Sequence, residues 1–517
     1  MLASGPRVMS AKGLDPADWV VIAVYGLGVL SIGAYYSLRT KDTEDYLLGG
    51  RTMRSSSIGL SLFASLMSII SYTAIPGELI NKGPVMLCWM LGLPIIYLVV
   101  GMVLIPRIVA LPVTSGYELL ETRLGMGNRR LGSGMFLANR MLWMGLIIYV
   151  ASHKVLAVVL GLDEQSSFWV SVAIGLATLI YTFMGGLRAV VLINVIQAFI
   201  LLAAAIATVA LITVKMGGID AWWPHEWSPT WDRQPLFSWD PRVRVTVVGS
   251  IVWLTVWWIC TAGSDQMAMQ RYLATRDAPA ARKAFLLTLL SNVFAMLVLC
   301  SLGFALLGFF QAHPEYLKAD GGYLQTDLTI QKDADKLFPY YIVRFLPVGV
   351  TGLVVSGLLA TAMSALASGI NSSCSVIATD FVNPIFGPAC SEKGGVRRDK
   401  MITLLVGFAA IATSFLMDKV TGNTLEVTTR TNHVFAAPLF GLFVMAMFVP
   451  FATPLGAIAG AMAGCIVAIL FAYWDLITGG ATLSFQWITL VALVVNLLVG
   501  IPVSLVLPRK NVTPWVS

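Results

Sequence analysis

The stretch GLSLFASLMSIISYTAIPGELINKG, residues 59–83, begins like a membrane-spanning helix and then departs from that pattern. Its second half carries polar side chains and the helix breakers Pro76 and Gly77. An unpaired backbone group costs several kcal/mol in the hydrocarbon core of a membrane, so a break is tolerated only where it lies inside the protein and lines a hydrated cavity. The stretch therefore predicts a broken helix at a functional site.

The composition indicates an integral membrane protein. Of the 517 residues, 57% are hydrophobic and 12% are charged, whereas soluble domains carry roughly a quarter charged residues. The net charge of +7 does not indicate a nucleic-acid ligand, because the Lys and Arg residues lie in short loops between apolar runs. Five of the six cysteines lie inside those runs and Cys390 lies in a loop, which is typical of small buried side chains and not of disulfides or metal sites.

Hydropathy predicts one membrane domain over residues 1–517, without a cleaved signal peptide. Thirteen spans are expected at 19–38, 58–80, 85–105, 131–160, 166–183, 187–214, 244–262, 284–312, 347–382, 401–417, 424–449, 453–474 and 483–507. Four Lys or Arg residues lie in each of the loops 39–57, 106–130, 263–283 and 384–400, while the short opposite loops hold only Lys82 and Lys419. This bias predicts a multi-pass protein of the cell membrane with its N-terminus outside and its C-terminus in the cytoplasm.

A second interrupted span is VGSIVWLTVWWICTAGSDQMAMQRY, residues 248–272, where polar residues end an apolar run. It lies five spans after the first. Interrupted helices in corresponding positions of two halves are the sequence pattern of an inverted-repeat transporter; a proline kink repaired by neighbouring helices is the alternative for either span alone. The pattern predicts a peripheral helix, two five-helix repeats and two final helices, at 19–38, 58–214, 244–449 and 453–507.

A polar stripe runs along the span ATAMSALASGINSSCSVIATDF, residues 360–381. Oxygen-bearing side chains recur every three or four residues and share one helix face: Thr361, Ser364, Ser368, Asn371 and Ser375. If this face meets the broken helix, its oxygens suit a hard alkali cation. Ordinary packing of small residues, with each hydroxyl bonded to its own turn, is the alternative.

Few other ionisable residues lie in the predicted spans. Arg140 is expected towards the cytoplasmic end of its span, paired with a loop carboxylate. Arg430 and His433 neighbour Thr429, about 10 Å from the outer helix end at 1.5 Å per residue, and are candidates to contact an anionic substrate. An outer-gate or structural ion pair is their alternative. Three tryptophans either pack as ordinary aromatics or form the floor of a pocket: Trp253, Trp257 and Trp258.

The chain resembles the sodium/solute symporter family from about residue 40 to about residue 460. The resemblance lies in DYLLGGR (45–51), ASLMS (64–68), TSGYELLETRLG (114–125), GGLRAVVLINVIQ (185–197), QMAMQRYLA (266–274), SALASGINSS (364–373) and APLFGLFVMAMFVPFATPLGAIAGAMAG (437–464). The motifs are nearer to the sodium/iodide, monocarboxylate and multivitamin branch than to the glucose branch. The resemblance implies an all-α, LeuT-type five-plus-five core and alternating-access co-transport driven by sodium.

The resemblance also implies site residues. The sodium ion would be held by the carbonyls of Ala64 and Met67, by the Thr361 position and by the hydroxyl of Ser364. Ala365 stands where the family has a further hydroxyl, and Asn194 stands where it has the aspartate of a second sodium. Substrate positions of the family, and neighbours that could share its site, fall on Ser65, Leu66, Ser71, Met90, Trp258, Thr261, Asn292, Thr429 and Arg430.

These positions favour a small carboxylate or another small anion over a sugar, since Met90 and Trp258 offer a sugar too few hydrogen-bond partners. The leading hypothesis is a sodium-coupled symporter that moves one sodium ion per substrate. Because Ala365 and Asn194 depart from the family pattern, a proton-coupled or sodium-independent carrier stays open as the alternative. A channel would need an uninterrupted polar pore, and an enzyme would need a catalytic motif, which the sequence lacks.

The predicted orientation is testable by labelling. A cysteine placed at Asp163, in a cation-poor loop, should react from outside the cell with a membrane-impermeant thiol reagent. A cysteine placed at Lys393, in a cation-rich loop, should react only after the membrane is permeabilised. The reverse pattern would overturn the orientation.

Overall fold

The computed structural model describes residues 14–40, 42–110, 113–160, 164–228, 231, 235–319, 327–387, 391–417 and 424–507, with the side chains of 164 and 424–427 excepted. Asp163, Cys390 and Lys419 lie outside these residues. Within them the chain forms helices and turns and no strand. The helices that carry the architecture are Pro16–Ser37, Ser55–Leu66, Ile69–Lys82, Pro84–Val109, Met126–Leu160, Glu164–Met216, Val247–Ser264, Gln266–Leu273, Ala278–Ala312, Ala334–Phe345, Val350–Phe386, Glu392–Ser414, Thr424–Phe448, Pro454–Ala472 and Phe485–Val506.

Ten helices in the described part of the chain are long and apolar enough to cross a membrane, or eleven with one bent pair. Two further features account for the thirteen predicted spans. The helix Glu164–Met216 is interrupted at Gly186, whose φ of 56° lies in the left-handed region that glycine adopts without strain. The helix Glu392–Ser414 begins with a charged segment that lowers its hydropathy.

The first broken helix, Ser55–Leu66 and Ile69–Lys82, bends by 63° at Met67 and Ser68. Ser68 begins the second half, where its side chain accepts a hydrogen bond from the amide of Ser71 at 3.4 Å. Pro76 does not cause the break, because it lies within the continuous second half. The polar residues of this span therefore predict the interruption correctly, and its helix breakers point about two turns too far along.

The second broken helix, Val247–Ser264 and Gln266–Leu273, is interrupted at Asp265, which is extended with φ −78° and ψ 126°. Each break falls in the first helix of a five-helix series. This arrangement is the five-plus-five inverted-repeat architecture that the sequence predicts. Two ion pairs lie near the ends of these helices, Arg188 with Asp45 and Arg244 with Glu78.

A short helix, Ala334–Phe345, covers the second half of the first broken helix. Its Asp335 carboxylate lies directly over Gly77, where even a Cβ atom would overlap it. Nearby, the buried Glu78 is held by Arg244, with Nη1 2.5 Å from Oε1. Burial and the Glu78 carboxylate raise the pKa of Asp335 to about 6, from an ordinary value of 3.8, although Arg244 acts in the opposite direction.

This pKa predicts a pH-dependent stability. Because folding raises the pKa of Asp335, its contribution to stability is fully present below pH 3.8 and is lost as the pH rises through about 6. The melting temperature of the detergent-solubilised protein should therefore fall between pH 5 and pH 7 less steeply in Asp335→Asn than in the wild type. Asp333→Asn is the control, because Asp333 pairs with Lys336 at the edge of the helix. Identical slopes in the wild type and Asp335→Asn would contradict the assignment.

Candidate functional site

A cavity of about 150 Å³ lies between the two broken helices and touches both breaks. Met67 borders it from the first break and Asp265 from the second. Seven of the positions named from the sequence as substrate contacts line it: Ser65, Leu66, Ser71, Trp258, Thr261, Asn292 and Thr429. Met90 and Arg430 are not part of the lining, and Nη1 of Arg430 instead lies 3.5 Å from Oδ1 of Asp475. The fold thus gathers distant segments at one place.

Arg140 forms an ion pair with Asp265 in the cavity wall. The Nη2 group of Arg140 donates to Oδ2 of Asp265, and the two side chains are only 6% and 8% exposed. Oδ1 of Asp265 also accepts from the amide of Met267 at 2.8 Å, which caps the second half of the broken helix. The sequence predicted that Arg140 pairs with a carboxylate in a loop. This prediction is wrong, because the partner of Arg140 is Asp265, which lies at the second helix break.

The Arg140 guanidinium keeps bonding capacity beyond this pair. Its Nε atom is buried and has no hydrogen-bond acceptor among the described residues. Oδ1 of Asn139, the preceding residue and also part of the lining, is likewise unpartnered within that part of the chain. Buried polar groups are nearly always bonded, so these atoms are the natural contacts of a bound molecule or of water.

The apolar wall of the cavity is rich in tryptophan: Trp89, Trp143, Trp253, Trp257 and Trp258. The ring of His433 stacks on Trp257 with centroids 5.9 Å apart, and its Nδ1 lies 2.6 Å from Oγ1 of Thr489 in the last helix. A final helix outside the two repeats therefore fixes a side chain of the cavity. The three tryptophans noted in the sequence border the pocket and also pack against neighbouring aromatic rings.

The residues named for sodium lie where the first break meets the serine-rich helix, Val350–Val376. Oγ of Ser65 is 2.7 Å from Oγ of Ser368, so the two helices touch at the break. One turn earlier, Oγ of Ser364 is buried and has no hydrogen-bond partner among the described residues. The hydroxyl of Thr361 instead donates to the carbonyl of Leu358 at 2.7 Å. Flanking these positions are Ala64, Met67 and Ala365, all buried.

Asn194 and Arg271 meet beside this contact, in a buried cluster of hydroxyl groups. Nδ2 of Asn194 lies 3.0 Å from Oγ of Ser65 and of Ser368. Nη2 of Arg271 donates to the same two oxygens at 2.7 Å each. Arg271 is 0% exposed, and its only partners in the described structure are hydroxyls and a backbone carbonyl. Counting it as a loop cation is therefore wrong.

Three charged residues buried around the two breaks were not recognised together from the sequence: Arg140, Asp265 and Arg271. Arg140 carries a usable signal, because an ionisable residue within a span is a functional candidate by default. Arg271 carries none, because it follows a break and precedes a cation-rich loop. Only the return of Gln266–Leu273 into the interior buries it.

Comparison with known proteins agrees with this architecture. A model described as the sodium:solute symporter family matches residues 46–464. The sodium-dependent multivitamin transporter of Oryctolagus cuniculus is 28% identical over 475 residues, which cover 89% of this chain and 71% of that protein. Sodium-coupled monocarboxylate transporter 1 of Xenopus laevis is 28% identical over 466 residues, covering 87% and 71%.

A solved structure shares the fold. The substrate-bound, outward-open state of a Na+-coupled sialic acid symporter has a TM-score of 0.80 at 21% identity, covering 96% of this chain and 100% of that one. These relatives are transporters and not enzymes, and sodium is the coupling ion that the family name gives. Because the family model covers most of the sequence, the chain belongs to the sodium:solute symporter family.

Proposed function

We propose that this chain carries a small organic carboxylate, or a similar small anion, into the cell together with one sodium ion by alternating access. The observation that carries the proposal is a cavity that touches both helix breaks and is lined by Arg140. Breaks in corresponding helices are the places where transporters of this architecture hold ions and substrates. The orientation from the cation bias, with the N-terminus outside, belongs to the same proposal.

The charges at the two breaks support an anionic substrate. Arg140 and Arg271 bring two positive charges, and Asp265 is the one carboxylate in contact with either of them among the described residues. A bound sodium ion would add another positive charge. An anion close to the unbonded Nε of Arg140 would offset part of this excess through a charge-assisted hydrogen bond, which is stronger than a neutral one.

The size and lining of the cavity support a small, partly apolar substrate. A volume of about 150 Å³ is that of engineered protein cavities that hold benzene. Tryptophan rings cover much of the wall, and they would contact a hydrocarbon body better than a ring of sugar hydroxyls. The names of two similar proteins, a monocarboxylate transporter and a sialic acid symporter, agree with an acidic substrate.

The unbonded hydroxyl of Ser364 supports a cation site at the first break. The helix ends there, so the last carbonyls of Ser55–Leu66 lose the amides that would otherwise bond them. Carbonyl and hydroxyl oxygens are the ligands that hard cations prefer. We therefore assign the sodium ion to Ala64, Met67 and Ser364, with Thr361 alongside.

The buried hydroxyl cluster around Asn194 and Arg271 supports the transport of a single sodium ion per substrate. A second cation beside Asn194 would find amide and hydroxyl oxygens but no formal negative charge. The buried guanidinium of Arg271 already donates to the hydroxyls of Ser65 and Ser368. Like charges repel strongly in a low-dielectric interior, so Arg271 disfavours another cation there.

A proton-coupled or sodium-independent carrier is the second candidate, favoured by the missing hydroxyl at Ala365 and the missing charge at Asn194. Proteoliposomes separate the candidates. Uptake driven by an inward sodium gradient at equal pH supports sodium coupling. Uptake driven by an inward proton gradient without sodium, or by neither gradient, would overturn it.

The cation site makes a prediction for two neighbouring positions. Ser364→Ala should abolish the stimulation of uptake by sodium, because it removes the unbonded hydroxyl. Ala365→Ser should lower the half-saturating sodium concentration about tenfold if one added oxygen ligand contributes about 1.4 kcal/mol. Ser372→Ala is the matched control, because its hydroxyl donates to the carbonyl of Ser368 at 2.8 Å. An unchanged sodium dependence in both test variants would remove this helix from the ion site.

The predicted number of sodium ions per substrate follows from the buried hydroxyl cluster around Asn194 and Arg271. Wild-type uptake should depend on sodium with a Hill coefficient near one, because the position of Asn194 offers no charge for a second ion. The measurement is initial uptake against sodium concentration, together with the reversal potential in proteoliposomes. A ratio of two or more sodium ions per substrate would refute the single-ion proposal.

The role of Arg140 can be tested without leaving a lone buried charge. The double variant Arg140→Gln/Asp265→Asn removes both members of the pair, which avoids the cost of an unpaired partner. Its KM for radiolabelled monocarboxylates should rise about tenfold, equivalent to about 1.4 kcal/mol, with a smaller change in half-saturating sodium. Arg107→Gln, at an exposed arginine of another helix, is the control. An unchanged KM would show that the anion binds elsewhere.

A further inference from the structure

The N-terminal helix, Pro16–Ser37, is attached to the serine-rich helix by a buried carboxylate. Asp18 is 0% exposed, and its Oδ1 accepts hydrogen bonds from the amides of Gly349 at 2.7 Å and Gly352 at 2.8 Å. The first amides of a helix have no partner within that helix. They also carry the partial positive charge of the helix dipole, which a carboxylate offsets.

The contact is also close between the two backbones. A Cβ atom added to Gly352 would lie 2.7 Å from the carbonyl oxygen of Asp18 and 2.8 Å from its Cα. No side chain fits at such distances. The start of the serine-rich helix is therefore held against the N-terminal helix by both hydrogen bonding and shape.

A second attachment lies directly behind the candidate cation residues. The hydroxyl of Tyr25 accepts from Nε2 of Gln197 at 2.7 Å and lies 3.9 Å from Sδ of Met363. Met363 immediately precedes Ser364, and its carbonyl accepts from the hydroxyl of Tyr181 at 2.9 Å. The N-terminal helix thus contacts the serine-rich helix at its first turn and again at the level of the site.

We propose that Asp18 is a positioning residue for the cation site. By bonding the amides of Gly349 and Gly352, it fixes the serine-rich helix along its axis, so that the hydroxyl of Ser364 stays level with the first break. A helix transmits such a constraint because a slip by one residue moves every side chain by about 1.5 Å. Ion ligands tolerate displacements of only about 0.2 Å. The proposal rests on the proposed function for the identity of the ion.

The test compares Asp18→Ala and Asp18→Asn with Asp15→Asn. Asp15 is the matched control, since it lies on the same turn but caps its own helix, with Oδ1 3.1 Å from the amide of Ala17. Asp18→Ala should raise the half-saturating sodium concentration by up to about fivefold, the equivalent of the ~1 kcal/mol that a cap contributes. Asp18→Asn, which keeps an acceptor oxygen and can fold where alanine does not, should give a smaller rise, and Asp15→Asn none.

Hydrogen–deuterium exchange supplies a readout that does not depend on transport. The amides of residues 349–356 should exchange faster in Asp18→Ala than in the wild type, in detergent without substrate. Unchanged exchange overturns the attachment, and faster exchange with an unchanged sodium requirement overturns the positioning role. If wild-type uptake proves independent of sodium, the proposed function fails, and the half-saturating substrate concentration then replaces sodium as the second readout.

Discussion

The structure depends on how interrupted helices satisfy their backbone groups at bilayer depth. Each break frees amides and carbonyls that lipid cannot bond. Ser68 and Asp265 cap the new helix starts, at 3.4 Å and 2.8 Å respectively, so the freed amides are partly satisfied by side chains. The carbonyl of Ser264, at the end of the helix before the second break, accepts from the buried hydroxyl of Tyr117 at 3.1 Å. Both breaks lie where polar partners exist: the cavity and the charged pair touch them, and the serine-rich helix contacts the first.

The two buried arginines of this region differ in the groups that they contact. Arg140 has the carboxylate of Asp265, whereas Arg271 has only hydroxyl and carbonyl acceptors in the described structure. A buried charge without a counterion is costly unless its hydrogen bonds are complete. The guanidinium of Arg271 has five N–H groups, and it makes four hydrogen bonds, to the hydroxyls of Ser61, Ser65 and Ser368 and to the carbonyl of Met267. The two arginines and the one carboxylate give this region an excess of positive charge, and the proposals of an anionic substrate and of a single sodium ion both rest on that excess.

The sequence was sufficient for the all-helical architecture with two broken helices. Misplaced polarity at residues 68–78 and 261–266 indicated both broken helices, and the hydroxyl spacing indicated the helix that meets the first one. Residues whose role depends on a distant partner were not predictable. Asp265 is 125 residues from Arg140, and Asp18 is 331 residues from Gly349. No local pattern encodes those pairs, since both are produced by packing of whole helices.

The two attachments of the serine-rich helix bear on how an ion could drive transport. Its N-terminal turn is bonded to Asp18, while the first broken helix is interrupted at Met67 and Ser68. The proposed ion would therefore lie between a helix that is held at its start and the break of another helix. An ion bound by carbonyls at that break and by the hydroxyl of Ser364 would bind best when the two helices are in contact. Since a ligand shifts an equilibrium towards the state that it binds more tightly, sodium bound there would favour the arrangement in which the helices touch, beside the cavity proposed for the substrate.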